Sequence, residues 1–79
     1  MVYVIDYGTG VKMTAKSLLM AKRTAGEFAG YTGKDIVIED IDGNPIAVSH
    51  WVNGTPEKRT NVLFQFGKYG YYTKWEEQS

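Results

Sequence analysis

The chain has 79 residues, 43% hydrophobic and 14% aromatic, and nine basic residues balance nine acidic ones. This length suits one domain with a core just large enough to fold without disulfides or metals. The neutral charge argues against a strong attraction of the whole domain to nucleic acid or anionic membrane. The sequence contains no cysteine, which excludes disulfides, thiolate nucleophiles and cysteine-based zinc sites.

The N-terminal residues MVYVIDYG lack the basic and apolar regions of a signal peptide. No apolar run approaches the roughly 20 residues that a membrane span requires. We therefore expect a cytoplasmic protein with no membrane partner. We expect residues 1–79 to form a single domain, with a frayed tail at residues 75–79.

The first elements follow from the spacing of apolar residues. Residues 2–7 alternate as a strand, with Tyr3, Ile5 and Tyr7 on one side. Glycines at positions 8 and 10 then break this strand. A helix is predicted from about Thr14, as N-cap, to Ala29. Its apolar stripe comprises Leu18, Ala21, Ala25 and Phe28, and its polar face Lys16, Met20, Arg23 and Glu27.

A β-hairpin is predicted over residues 35–52, around the turn residues DIDGNP. A two-residue turn at positions 42–43 would place Ile38 opposite Ala47. A type I turn followed by a left-handed Gly43 would place Ile38 opposite Ile46 and Ile36 opposite Val48. We choose the second register because it gathers aliphatic residues into cross-strand pairs. One face then carries Ile36, Ile38, Ile46, Val48, His50 and Val52, and the other carries Val37, Glu39, Ala47, Ser49 and Trp51.

Further strands are expected at residues 61–66 and 71–75, as one bent strand or as two. The order is β-α-β-β-β, with or without a fifth strand. This order predicts an α+β fold in which one helix packs on one face of a four- or five-stranded mixed or antiparallel sheet.

Tyrosine and tryptophan are the most conspicuous candidates for binding. If the helix covers the aliphatic face of the hairpin, Tyr3, Tyr7 and Trp51 lie on the opposite face. Aromatic side chains there suit a recognition surface. The alternative is that they lie flat over a thin sheet or pack on the C-terminal tail. The C-terminal members of this hypothetical binding set are Tyr69, Tyr71, Tyr72 and Trp75.

Two lysines, Lys12 and Lys16, predict a weak anion site where the glycines of YGTGVK precede a helix N-terminus. The chain lacks the full dinucleotide fingerprint and the Walker pattern, so no nucleotide cofactor is expected. His50 is predicted to be half-buried and structural. A metal site would need more ligands, and only carboxylates are available, so neither a metal nor another cofactor is predicted.

Catalysis has little support in the sequence. Ser49 neighbours His50, but adjacent residues of a strand point to opposite faces and cannot form a nucleophile–base pair. We predict that the protein is not an enzyme and has no small-molecule substrate.

Charge is unevenly spread along the chain. Residues 1–34 carry five basic and two acidic side chains, a net +3, whereas residues 35–54 carry four acidic side chains and no lysine or arginine. This indicates either two solvated surfaces that attract each other weakly or a basic docking patch on the helix.

The leading functional hypothesis is a non-enzymatic protein-binding module, either a homodimer or an adaptor. The alternative is single-stranded nucleic-acid binding, in which the same aromatics stack on bases and nearby cations follow the backbone. Those cations are Lys34, Lys58, Arg59, Lys68 and Lys74. Carbohydrate binding by the aromatics is a third hypothesis.

The segments GYTGKDIVIED and DGNPIAVSHW, followed by FGKYGYYTKW, resemble small uncharacterised proteins of Gram-positive bacteria and their prophages. The resemblance spans Tyr3 to Trp75 and lies in aromatic and turn positions. It implies a small cytosolic accessory protein, carried by a mobile element. It implies no activity and assigns no functional residue.

Overall fold

A computed structural model describes residues 2–30 and 33–78, apart from the side chain of Arg59. Ser79, the last residue of the tail expected to fray, lies outside this part. The elements are β1 (Tyr3–Asp6), β2 (Lys12–Ala15), α1 (Leu18–Glu27), β3 (Ile36–Asp40), β4 (Pro45–Ser49), β5 (Trp51–Asn53), a 3₁₀ helix (Arg59–Asn61), β6 (Phe64–Phe66), β7 (Gly70–Tyr72) and β8 (Glu76–Glu77).

The strands form two antiparallel sheets. The larger has five strands in the order β2-β1-β3-β4-β8, and the smaller has three in the order β5-β7-β6. Helix α1 packs on β1, β2 and β3 of the larger sheet. This confirms the predicted α+β fold with one helix against a sheet. Among the described residues, no helix is long and apolar enough to cross a membrane.

The segment between β1 and the helix differs from the prediction. Gly8 and Gly10 adopt φ values of 75° and 90°, so the chain reverses there. It returns as β2, with Lys12 opposite Asp6. The helix therefore begins later than expected, at Leu18. Ser17 is its N-cap, because the Ser17 Oγ accepts a hydrogen bond of 3.1 Å from the Met20 N–H.

The predicted loop of the β3–β4 hairpin forms, but the predicted register does not persist. The Asp40 N–H donates to the Asn44 oxygen at 3.0 Å, and Gly43 has a φ of 86°, as a type I turn with a left-handed glycine requires. Glu39 then lies opposite Pro45, whereas Ile38 lies opposite Ala47. Position 46 is therefore a β-bulge, which moves all later residues of β4 to the other face.

This bulge makes the predicted pairs Ile38–Ile46 and Ile36–Val48 wrong. Ile36 lies opposite Ser49, and Val37 lies opposite Val48. The buried face of the hairpin consists of Ile36, Ile38, Ala47 and Ser49, while Val37, Ile46 and Val48 are half-buried.

The core lies between α1 and the inner face of the larger sheet. Two small residues of the helix, Ala21 and Ala25, are fully buried and permit a close approach to the sheet. Phe28 was expected in the same apolar stripe but is mostly exposed. The remaining buried hydrophobic residues are Ile5, Tyr7, Ile36, Ile38, Ala47 and Tyr72.

Residues 61–75 contain two separate strands, β6 and β7, rather than one bent strand. Strands β6 and β7 pair through a turn in which the Tyr69 N–H donates to the Phe66 oxygen at 3.0 Å. Glu76 and Glu77, which belong to the tail expected to fray, form β8 against β4. The Lys22 Nζ also donates to the Glu77 Oε1 at 2.9 Å, and this contact lowers the pKa of Glu77.

One residue, His50, separates β4 from β5 and directs the chain from the larger sheet to the smaller. The junction is fixed by Thr73, whose N–H donates to the His50 oxygen at 2.9 Å. The His50 N–H donates in return to the Thr73 Oγ1 at 3.0 Å. The buried Ser49 hydroxyl donates to the Thr73 oxygen at 2.7 Å. These bonds satisfy the polar groups where the two sheets meet.

Candidate interaction surfaces

Three aromatic side chains of the small sheet, those of Trp51, Phe66 and Tyr72, pack against one another. The Trp51 and Tyr72 ring centroids lie 5.0 Å apart in an edge-to-face arrangement. Phe66 contacts both rings, at 5.9 Å from Trp51 and 5.8 Å from Tyr72. The Tyr72 hydroxyl donates to the Gly30 oxygen at 2.8 Å, just after the helix ends. This cluster therefore joins the two layers of the fold.

The predicted aromatic binding set is not gathered on one solvent face. Tyr7 is 4% exposed and Tyr72 is fully buried, so neither offers area to a partner. Tyr3, Trp51, Tyr71 and Trp75 are half-buried, and Tyr69 is 73% exposed.

The expectation that Tyr3 and Tyr7 lie opposite the helix is wrong. They alternate with Val4 and share the face of Ile5, which packs in the core. The Tyr7 hydroxyl is 3.5 Å from the Thr24 oxygen of α1. Burial, with a smaller contribution from Tyr72, raises the pKa of Tyr7 above its usual value.

The structure does not form the glycine turn before the helix N-terminus on which the predicted anion site depended. The glycine turn connects β1 to β2 and not to the helix. Lys12 is the first residue of β2, whereas Lys16 follows its last residue, so the strand separates the two lysines. Lys12 lies 3.9 Å from the Asp6 carboxylate, and Lys16 is exposed.

His50 lies between two carboxylates. Its Nδ1 is 3.0 Å from the Asp35 Oδ2, and its Nε2 is 3.1 Å from the Glu76 Oε2. Only a doubly protonated imidazole can donate to both at once. The Asp35 Oδ1 also accepts from the Trp51 N–H at 2.8 Å. The histidine thus ties the start of β3 to β8.

The neighbouring residues Ser49 and His50 bind different partners. The Ser49 hydroxyl points to Thr73 rather than to the imidazole. Within residues 2–30 and 33–78, no group of three or more histidine, cysteine or acidic side chains could hold a metal ion.

A shallow cleft lies on the outer face of the small sheet, where residues 55–61 fold back over it. The cleft has a volume of about 550 Å³ and contains the Tyr71 ring together with Glu57 and Lys58. The other lining residues are Val52, Thr55, Thr60 and Asn61. Sequence reasoning did not find this cleft, because it depends on the path of the loop. The only signal was the alternation that separates Tyr71 from Tyr72.

Several exposed apolar side chains belong to segments that meet at one end of the larger sheet. Leu19 and Ile41 are 77% and 72% exposed, and Val2 and Met20 are exposed as well. Tyr3 lies opposite both Ala15 and Asp40, so this end combines the start of β1, the end of β2 and the β3–β4 turn. Helix α1 begins at the same end. We call Val2, Leu19, Met20 and Ile41 the end patch.

The β3–β4 turn beside the end patch is held in one conformation by Asp40. Its carboxylate accepts the Asn44 N–H and the Asn44 side-chain amide at 2.9 and 3.0 Å, and the Asp42 N–H at 2.9 Å. The Asn44 bonds, together with the other backbone donors, lower the pKa of Asp40. A recess of about 420 Å³ lies between this turn and Val2. The end patch was not predicted, because Leu19 and Ile41 fall outside every amphipathic pattern of the sequence.

Comparison of the chain with protein-family models, curated proteins and solved structures gives no match. A functional interpretation therefore depends on the surfaces described above.

Proposed function

We propose that the chain is a non-enzymatic protein-binding module that docks a partner on the end patch. The observation that carries the proposal is the exposure of Leu19 and Ile41, both above 70%, at one end of a small domain. Gathered exposed apolar side chains are typical of interaction sites, because a partner removes them from water.

The charges around the end patch suit an interface rim. Lys16 and Arg23 are exposed on the helix side, and Asp42 is exposed in the β3–β4 turn. Apolar residues at the centre with polar residues around them are the usual arrangement of protein–protein contacts.

Native mass spectrometry of the protein, purified gently from its own host, tests the proposal. We expect a complex with another copy or with another protein, and Ile41→Glu should remove it. Val11→Glu is the matched control, since Val11 is also an exposed aliphatic residue but lies at the opposite end of the sheet. Circular dichroism should show that both variants fold. A bare monomer of the unmodified chain at every concentration would contradict the proposal.

Single-stranded nucleic-acid binding is a second candidate, favoured by the cleft that places Lys58 beside the Tyr71 ring. A base could stack on the ring while the lysine contacts a phosphate. Glu57 in the same cleft and the neutral net charge oppose it. Fluorescence anisotropy with a labelled single-stranded oligonucleotide tests this candidate. The affinity should fall steeply as the salt concentration rises, and binding should disappear in Tyr71→Ala. Absence of binding at low salt would remove this candidate.

The cytoplasmic location expected from the sequence is part of the same proposal, as is a role as an accessory protein. Fractionation of host cells that produce the full-length protein tests the location.

A further inference from the structure

We propose that the partner at the end patch is a second copy of this chain, bound in a two-fold contact in which Lys16 of each copy faces Asp42 of the other. This inference rests on the proposed function and adds the identity of the partner to it.

The register of the larger sheet sets the layout of this end. Ala15 of β2 and Asp40 of β3 lie opposite Tyr3 of β1, on its two sides. Neighbouring strands lie about 4.8 Å apart. Lys16, which follows β2, and Asp42, in the turn after β3, therefore lie on opposite sides of the strand that begins beside Val2.

Lys16 and Asp42 are both exposed and of opposite charge. Within residues 2–30 and 33–78, neither of them forms an ion pair. Asp40, by contrast, is occupied by the bonds of its own turn. Asp42 is therefore the turn carboxylate that is available to an external cation.

A two-fold rotation about an axis near Val2 exchanges the basic and acidic sides of this end. Such a contact is isologous: if Lys16 meets Asp42 of the other copy, the reciprocal pair forms as well. Val2 and Ile41 then lie between the two ion pairs. The net charge of zero adds no long-range repulsion between copies. Since the end patch is small compared with the roughly 800 Å² per partner of a standard interface, we expect a reversible, concentration-dependent dimer.

Charge reversal tests this geometry by sedimentation equilibrium at low salt. The unmodified chain should dimerise, and Lys16→Glu or Asp42→Lys alone should each weaken dimerisation at least tenfold. An equimolar mixture of the two variants should associate again, because each new charge then faces an opposite charge in the other chain. Lys68→Glu reverses an exposed lysine on the turn of the small sheet and should leave dimerisation unchanged.

The outcomes separate this inference from the proposed function. A dimer that is indifferent to both reversals, or variants that fail to associate on mixing, would overturn the two-fold contact. A monomer that binds a different protein, lost in Ile41→Glu, would overturn the second copy while leaving the docking role intact. A monomer with no partner would overturn both. Circular dichroism of each variant should show that it remains folded.

Discussion

The ring of Phe64 lies against the backbone of Gly26 in helix α1, so that a Cβ at position 26 would stand only 2.6 Å from the Phe64 Cζ. Glycine inside a helix is less favourable than alanine by about 1 kcal/mol. The sequence indicated only this cost. The structure gives the reason for the glycine: the small sheet rests on the helix at this point.

Gly26→Ala should therefore destabilise the protein by about 1 kcal/mol, despite the better helix propensity of alanine. In a Phe64→Leu background, which removes the ring, the same change should stabilise by up to about 1 kcal/mol. Urea unfolding of the four proteins in this double-mutant cycle measures the coupling. Equal effects of Gly26→Ala in both backgrounds would show that the ring contact is unimportant.

Gly70→Ala should be far more damaging. A Cβ there would stand 2.6 Å from the Val52 carbonyl oxygen and 2.8 Å from the Trp51 Cε2. The backbone of a paired strand cannot move aside as a side chain can, so we expect a loss of about 3 kcal/mol or more. Gly30→Ala is the matched control, since nothing lies within 4 Å of its added Cβ. Thermal unfolding of both variants, followed by circular dichroism, measures the difference.

Acid should loosen the β3–β4 turn through Asp40. Because folding lowers the pKa of Asp40, its carboxylate contributes stability above the pKa of the unfolded chain. That contribution is lost as the pH falls through the lower, folded value. Carboxyl-detected NMR should show Asp40 titrating below an ordinary aspartate, and Asp40→Asn should reduce the loss of stability in acid. Asp42→Asn is the control, and its loss of stability in acid should equal that of the unmodified chain. An ordinary titration of Asp40 would contradict the role of its turn bonds.

Alkali should act on the core through Tyr7. Burial raises the pKa of Tyr7, so its hydroxyl contributes stability that is fully present below the unfolded value of about 10. That stability is lost as the pH rises through the folded value. Tyr7→Phe should flatten the alkaline limb of the stability curve, because phenylalanine has no group to ionise. The measurement is urea unfolding at several alkaline pH values. If the stability of the variant falls equally steeply at alkaline pH, the loss of stability comes from a group other than Tyr7.

The sequence predicted the fold where local chemistry determines it. Alternation from Tyr3 onward specified β1, and the turn residues specified the loop at Gly43. The register beyond that loop was not predictable in the same way, because both Ile46 and Ala47 are apolar. Which of them enters the core depends on the space beneath the helix, and that space is a property of the assembled layers.

The candidate surfaces were harder to predict than the fold. Alternation showed that Tyr3 and Tyr7 share a face, but not that the helix covers that face. Lys12 to Ala15 form a short edge strand, whose alternation was obscured by the helical pattern that follows it. The end patch arises because the register places Val2 and Ile41 at the same end, although they are far apart in sequence.

The single-residue junction at His50 has a consequence for how the protein loses its structure. Strands β4 and β5 are one continuous length of chain, tied on both sides to Thr73. Opening the small sheet should disturb β4, an interior strand of the larger sheet. We therefore expect the two sheets to open as one cooperative unit. Native-state hydrogen exchange should accordingly give the Thr73 amide and the buried amides of β3 the same opening free energy. Both sheets would then unfold together, in a single cooperative transition, as the denaturant concentration rises.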